Sequence, residues 1–294
     1  MRTPAAEHLI RQRINALGRL LPGAKDGDSA SLHHARVATR RLREAIPLVA
    51  HGAKAEKLTR SVRQLTRALG PVRELDVALV ILDEFDDGPA APRQGIQRLR
   101  AAIIEERRRL RTELRRRISD FDVRALLKKS VAAARKSDGA AGKRDPHHAI
   151  AARARAGRRA ERLEGAIDSA AGLYLPDRLH EVRIAAKKLR YALELAHPAG
   201  NARPSPRLRL LKSAQDLLGR MHDLEVLIAR TRGIQSSPGA SSLRVSADLD
   251  KLVRRLETEC RQLHGQYMAM RRDLLALCHR LIAAAERDAR TSAA

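Results

Sequence analysis

The sequence is poor in aromatic residues, with no tryptophan, three tyrosines and two phenylalanines in 294 residues. Proteins that bind single-stranded nucleic acid usually stack the bases on aromatic side chains, so the composition counts against that class. Cysteine is also scarce. Cys260 and Cys278 both lie in a helical pattern, and we predict that they are small buried residues rather than a disulfide or ligands of a metal ion.

Long apolar runs are missing too. No segment approaches the roughly 18 apolar residues of a membrane-spanning helix, and the first residues lack the apolar core of a signal peptide. These absences predict a soluble, cytoplasmic protein without a membrane partner. Acidic residues are outnumbered, since 34 of them face 59 lysines and arginines and leave a formal net charge of +25. This excess by itself predicts a polyanionic partner, with nucleic acid, an anionic membrane surface and polymeric phosphate as the candidates.

Helical periodicity runs through almost the whole chain, and no segment alternates polar and apolar residues as a strand would. The sequence therefore predicts an all-α protein. Residues 137–146, SDGAAGKRDP, are the best candidate for a linker. They divide the chain into two predicted helical bundles, residues 1–140 and residues 141–294.

Proline and glycine mark the expected interruptions. Pro22-Gly23 is expected to end the first helix, and a loop over residues 23–31 is expected to follow, with Ser31 as the N-cap of the next helix. Leu69-Gly70-Pro71 is expected to break or kink a later helix, because proline lacks the N–H group that continues the helical hydrogen bonds.

The last helix has the clearest pattern. Ten residues spaced alternately four and three apart form a heptad seam: Leu249, Val253, Leu256, Cys260, Leu263, Tyr267, Met270, Leu274, Leu277 and Leu281. Such a seam suits a long helix of an intrachain bundle or a coiled-coil dimer. The other helices of the same chain favour the intrachain bundle.

One segment of the chain occurs twice. Residues 32–48 read LHHARVATRRLREAIPL, residues 179–195 read LHEVRIAAKKLRYALEL, and eight of the 17 positions are identical. A second pair, which we call the LG segments, follows in the same order: residues 69–77, LGPVRELDV, and residues 218–226, LGRMHDLEV. Two motifs repeated in order indicate an internal duplication. It predicts two four-helix bundles related by a pseudo-twofold axis, with the repeated helices facing a shared groove.

Both copies of the first segment carry a basic stripe. At about 100° per residue, positions i, i+3, i+7 and i+10 share one side of a helix. These positions hold His33, Arg36, Arg40 and Arg43 in the first copy and His180, Arg183, Lys187 and Arg190 in the second. The helix after the first stripe adds Arg60, Arg63 and Arg67. When the two halves are aligned, Arg209 and Lys212 correspond to the first two of these arginines, but Asp216 corresponds to Arg67. Arginine and lysine at such spacing suit phosphate oxygens.

The paired LHxxRxAxxxLRxAxxL helices and the LG segments after them resemble the CHAD family, the conserved-histidine α-helical domain, over nearly the whole chain. The resemblance implies two four-helix bundles, a basic central surface that binds inorganic polyphosphate, and association with polyphosphate granules. In a crystal, sulfate or phosphate is expected to occupy the site. The match places these residues in the anion site: His33, Arg36, Arg40, Arg41, Arg43, His180, Arg183, Lys187, Lys188 and Arg190.

Three functions fit these residues. The first is binding of polyphosphate without catalysis and without a cofactor. The alternative is a nucleoid-type DNA-binding protein, since contacts to duplex phosphates need only lysine and arginine. An enzyme that cleaves or extends phosphate chains is the weakest interpretation, because the sequence has no ExExK segment, no Walker spacing and no clustered acidic metal site.

The motif histidines and the carboxylates of the LG segments have competing interpretations. His33 and His180 lack a metal-ligand partner at the usual spacing, and we predict no metal site. They are either hydrogen-bond donors to phosphate, charged when an anion raises the pKa, or structural residues at a helix start. The repeated carboxylates are expected to pair with arginines of the basic helices rather than to act as acid–base catalysts: Glu74, Asp76, Asp223 and Glu225.

Overall fold

The structure of the chain is a computed structural model that describes residues 5–50, 52–87, 91–138, 146–196, 205–236 and 242–293. These residues form nine α-helices and no strand, which confirms the predicted all-α class. The helices are α1 Ala5–Asp26, α2 Ser29–Val49, α3 Gly52–Phe85, α4 Arg93–Ser119, α5 Val123–Asp138, α6 Pro146–Ala170, α7 Pro176–Ala196, α8 Pro206–Gln235 and α9 Leu243–Ala293. Most of the predicted linker, residues 139–145, lies outside the described residues.

Helix α1 ends later than its Pro-Gly pair suggests. It continues through Pro22 and Gly23 to Asp26, and the chain reverses at the next residue, Gly27, whose φ is +96°. Asp28 is then the N-cap of α2 and accepts a hydrogen bond from the backbone N–H of Ser31 at 2.7 Å. The predicted loop over residues 23–31 and the predicted cap at Ser31 are therefore wrong. The buried side chains of Leu21 and Ala24 hold the last turn of α1 on the core, which outweighs the local preference for a turn.

Helix α3 continues through Pro71, so the predicted break is wrong, while the alternative of a kink stays a prediction. A proline inside a helix costs about 3 kcal/mol, because one hydrogen bond is lost and the ring crowds the preceding turn. Leu69, Val72 and Leu75 on both sides of the proline are buried. Burial of each such side chain contributes about 2 kcal/mol, so packing outweighs the cost of the proline.

Contacts divide the chain into two compact units. The first unit contains Met1–Glu84 and Arg100–Lys143, and the second contains Phe85–Leu99 and Arg144–Ala294. The core of the first unit is built from α1, α2, α3, α5 and the second half of α4. In the second unit α6, α7, α8 and α9 each contact two others and form a four-helix bundle. The predicted pseudo-twofold relation and shared groove stay predictions.

Phe85, the last residue of α3, and the first turns of α4 belong to the second unit. Asp248 of α9 accepts hydrogen bonds from the backbone N–H groups of Gln94 and Gly95, at 3.0 and 3.3 Å. Arg255 of α9 donates to the carbonyl oxygen of Phe85 at 3.0 Å. Asp248 therefore satisfies N–H groups that the start of a helix leaves without an intrahelical partner.

Helix α9 carries the predicted heptad seam. Its 51 residues extend for about 76 Å at 1.5 Å per residue. Eight of the ten seam residues are buried, and Leu263 and Met270 are half-buried. The helix packs on α6 and α8 of the same chain, which confirms the intrachain bundle. Across the part of the chain that the structure describes, no helix is both long enough and apolar enough to span a bilayer.

The two cysteines are buried and free, as predicted. Burial raises the pKa of the Cys260 thiol to about 11 and that of the Cys278 thiol to about 12. Both thiols therefore stay protonated at neutral pH and fill space as small apolar side chains.

Candidate functional site

Four arginines line one cleft in the first unit, which we call the arginine cleft. Arg36 and Arg43 come from α2, Arg63 and Arg67 come from α3, and the cleft has a volume of about 500 Å³. The other lining residues are Thr66, Gly70, Pro71 and Glu74. The structure thus brings together four residues that the sequence placed in the anion site, including Arg67, whose counterpart in the second half is an aspartate.

The arginine cleft is strongly positive. Among the described residues that line it, Glu74 alone is acidic. Partial burial lowers the pKa of Arg43, and the positive charges of Arg63, Arg40 and Arg67 lower this pKa further. A lowered pKa means that the guanidinium is charged at a cost in free energy. An anion in the cleft relieves that cost, so the cleft favours anionic ligands.

The glycine of each LG segment leaves space for an arginine of the basic stripe. A Cβ atom at Gly70 would lie only 2.6 Å from Nη1 of Arg36, whereas a Cβ atom at Gly219 would lie 3.9 Å from Nε of Arg183. A Cβ atom at Gly70 would therefore force the guanidinium of Arg36 to move, whereas a Cβ atom at Gly219 would make an ordinary van der Waals contact. The sequence analysis treated Gly70 only as part of an expected helix interruption and gave Gly219 no role, although the recurrence of glycine in both LG segments was the signal.

We expect Gly70→Ala to weaken anion binding about fivefold, because it displaces the guanidinium of Arg36, and one hydrogen bond is worth about 1 kcal/mol. The free energy of unfolding should stay equal or rise by up to about 1 kcal/mol, since alanine is the better helix former. Calorimetric titration with a short polyphosphate and urea denaturation measure the two effects. Gly219→Ala is the matched control, and a comparable loss of affinity in both variants would contradict the close approach at Gly70.

The two motif histidines have different neighbours. Nδ1 of His180 lies 3.1 Å from Nδ1 of His222, the fifth residue of the second LG segment. The fifth residue of the first LG segment is Arg73, which hydrogen-bonds Ser29 at 3.5 Å and acts on His33 with its charge. Partial burial and then nearby cations lower the pKa of both motif histidines. Sequence reasoning missed Arg73 and His222, and their matching place in the LG segments could have identified them.

Lys188 is on the same helix as the second basic stripe, but it lines a cleft that no residue of that stripe lines. It lines an opening of about 330 Å³ together with Arg159 and Arg162 of α6. Position 188 is about 140° around α7 from Arg183 at 100° per residue, so it faces α6 rather than α8. Arg41 has the same angular position on α2 and is half-buried.

Other predicted site residues pair inside the second unit. Arg190 lies 3.2 Å from Glu194, and its guanidinium carbon lies 5.1 Å from the ring centre of Tyr191. Lys212 lies 2.9 Å from Asp216, and both side chains are exposed. The remaining predicted residues are half-buried or exposed on their helices: His33, Arg40, Arg60, His180, Arg183, Lys187 and Arg209.

Two carboxylates of the LG segments have partners outside the basic helices. Asp76 is buried and accepts a hydrogen bond from Nε of Arg107 on α4 at 2.6 Å. Glu225 accepts a hydrogen bond from the hydroxyl of Tyr174. The predicted pairing with the basic helices is therefore wrong for both. Each lies six residues, about 240°, around its helix from the glycine that faces the basic stripe, so it meets another neighbour.

The described residues contain no group of three or more histidine, cysteine, aspartate or glutamate side chains able to hold a metal ion. Asp76 and Glu225 lie in different units and have the partners named above.

Comparisons with known proteins agree with this fold. Residues 8–232 match the family model of the CHAD domain. The structure is similar to the crystal structure of the CHAD domain from the plant Ricinus communis, with a TM-score of 0.66 and 23% identity over 90% of each chain. It is also similar to PptA from Streptomyces chartreusis, with a TM-score of 0.64 and 16% identity over 90% of this chain and 97% of that one. No protein of curated function matches in sequence. Because the family model covers most of its length, this chain belongs to the CHAD domain family.

Proposed function

We propose that this chain binds inorganic polyphosphate without catalysing a reaction, through the arginine cleft of the first unit and the basic stripe of the second. The observation that carries the proposal is the arginine cleft, in which four guanidinium groups surround one opening of about 500 Å³. Polyphosphate carries charge on every phosphate and has no base to recognise. Guanidinium groups that donate hydrogen bonds to several phosphate oxygens are therefore sufficient for binding.

The spacing of the cations supports a linear ligand. Steps of three and four residues along a helix rise about 5 Å each, so Arg36, Arg40 and Arg43 follow one another at short, regular intervals. Gathering these charges costs free energy that a polyanion returns. The CHAD family resemblance supports the same ligand. Binding of this kind would bring the chain to polyphosphate granules in the cytoplasm.

The test is a competition between long-chain polyphosphate and duplex DNA at equal phosphate concentration and fixed moderate salt. The full chain is first bound to fluorescent DNA, and we expect polyphosphate to displace the DNA. Both affinities should fall steeply with added salt, because each contacted phosphate releases counterions. Failure of polyphosphate to displace the DNA would contradict the proposal and favour the DNA-binding alternative. Release of orthophosphate in the presence of Mg²⁺ would contradict the absence of catalysis.

We expect the affinity for polyphosphate to rise as the pH falls from about 8 to about 6. In the free protein the pKa values of His33 and His180 are lowered, and a bound polyanion raises them, so binding takes up protons between the two values. The stability of the free protein should fall as the pH drops through about 6.5, because the unfolded chain then binds more protons than the folded chain.

Calorimetric titrations in two buffers of different ionisation enthalpy measure the proton uptake directly. The double variant His33→Gln/His180→Gln should lose most of it while keeping binding at high pH. Equal proton uptake in the variant and the parent chain would show that other groups titrate.

A further inference from the structure

A second and larger cavity lies in the first unit, between α3, α4 and α5. Its volume is about 940 Å³, which falls in the range of small-molecule binding pockets and far exceeds the voids of a packed interior. Its wall is mainly apolar, and the larger apolar side chains include Leu58, Leu65, Val72, Leu114, Phe121 and Leu126. A cavity of this size and lining suits a hydrocarbon chain.

Charged side chains also line this cavity. Five of them are cations and three are carboxylates: Lys54, Lys57, Arg67, Arg117 and Lys129, and Glu113, Asp120 and Asp122. Two of the carboxylates that line it have roles within the chain. Glu113 forms ion pairs with Arg116 and Arg117, at 2.8 and 2.7 Å, and Asp122 accepts a hydrogen bond from the backbone N–H of Ala125 at the start of α5, at 2.8 Å. Cations therefore outnumber carboxylates in the lining, and this excess complements an anionic head group.

The apolar cavity adjoins the arginine cleft. Arg67 and Pro71 of α3 line both of them. A single ligand can therefore place an apolar chain in the cavity while its charged end contacts Arg67 and the neighbouring arginines. A free inorganic anion fills only the cleft, and an uncharged hydrocarbon leaves the cations without a partner.

We propose that the first unit binds a single-chain amphiphile with a phosphate monoester head, in monomeric form. The alkyl or acyl chain occupies the apolar cavity, and the phosphate contacts Arg67. This ligand class goes beyond polyphosphate, although its head group uses one arginine of the cleft on which the proposed function rests.

The test titrates the full chain with n-alkyl phosphates of eight to twelve carbons, about the length that stays monomeric at useful concentrations, with inorganic phosphate and the matching alkyl alcohols as controls. We expect the affinity to rise about threefold for each added methylene, because each buried methylene adds a nearly constant transfer free energy. The alcohols should bind at least about tenfold more weakly, since they lack a charge-assisted contact to Arg67. Affinity that does not depend on chain length would overturn the proposal, and so would binding to phosphate-bearing vesicles without binding of the monomer.

Two variants locate the chain in the cavity. Ala125→Phe and Ala133→Phe each add a ring at a half-buried position of the cavity wall, and we expect each to reduce alkyl phosphate affinity at least about tenfold. Ala101→Phe, at an exposed position of α4, is the matched control. Circular dichroism checks that the variants fold, and one folded cavity variant is sufficient for the test. Alkyl phosphate binding that is unchanged in a folded cavity variant would overturn the proposal.

Polyphosphate binding separates this proposal from the proposed function. The cavity variants should keep it, because neither alanine lines the arginine cleft. If the parent chain binds alkyl phosphate but does not bind polyphosphate, only the proposed function is overturned. The reverse result would overturn only the cavity proposal.

Discussion

The double variant Arg63→Glu/Arg67→Glu is expected to weaken polyphosphate binding at least about 100-fold. It removes two of the four guanidinium groups of the arginine cleft and places two carboxylates opposite Arg36 and Arg43. Each charge-assisted hydrogen bond is worth roughly 1.5 to 3 kcal/mol, so the loss of two accounts for the expected factor. The new carboxylates also repel phosphate and neutralise the remaining arginines.

The fold should tolerate this change. Both replaced side chains are exposed, and the variant relieves repulsion that lowers the pKa of Arg43. Fluorescence anisotropy with labelled polyphosphate measures the affinity at several salt concentrations. The salt dependence should become shallower, with a slope smaller by about two contacts.

The matched control is Arg109→Glu/Arg124→Glu. It reverses the charge of two exposed arginines of the first unit that do not line the arginine cleft. Its net charge equals that of the cleft variant, so a general loss of positive charge affects both equally. Equal affinities of the two variants would show that binding follows net charge alone, and the arginine cleft would then have no special role.

Asp76→Ala is expected to lower the free energy of unfolding by about 2 to 3 kcal/mol. Asp76 is buried, and its partner Arg107 is three-quarters buried, with a side chain 24% exposed. Removing the carboxylate leaves a guanidinium in a poorly solvated place without its charge partner, and breaking buried pairs in this way is strongly destabilising. Urea denaturation of the purified chain measures the change.

Asp83→Ala provides the comparison, because Asp83 also lies on α3 and also pairs with an arginine of α4, Arg100. The side chain of Asp83 is 64% exposed, and exposed pairs contribute less than about 1 kcal/mol. A double-mutant cycle between Asp76 and Arg107 isolates the pair itself. If Asp76→Ala costs no more than Asp83→Ala, the pair is not a major contribution to the stability of the first unit.

The buried faces of the helices could be predicted from the sequence better than their ends. The seam of α9 is buried because a repeat of alternating four and three residues defines one side of a helix wherever the chain packs. The end of α1 and the continuity of α3 could not be predicted, since Pro-Gly and Gly-Pro pairs report only local preferences. Buried leucines next to them contribute more free energy than the local preference costs.

In the candidate site, too, the sequence predicted the side of the helix on which each arginine lies but not the residues that it meets. Spacing placed Arg36, Arg40 and Arg43 on one side of α2, and Arg63 and Arg67 on one side of α3. It did not show which of them share an opening. Arg67 was the least supported of the α3 arginines, because its counterpart is Asp216, yet it lines the arginine cleft, whereas Lys212 pairs with Asp216.

The sequence by itself determined the all-α class, the buried heptad seam, the inert cysteines and the positions of the cations along each helix. These properties follow from composition and from a periodicity that every helix shares. Only the tertiary structure decided that Asp76 meets Arg107, that Lys188 faces α6 and that four arginines of α2 and α3 surround one cleft. The physical reason is that periodicity sets the direction of a side chain around its own helix, whereas packing of distant segments sets what lies in that direction.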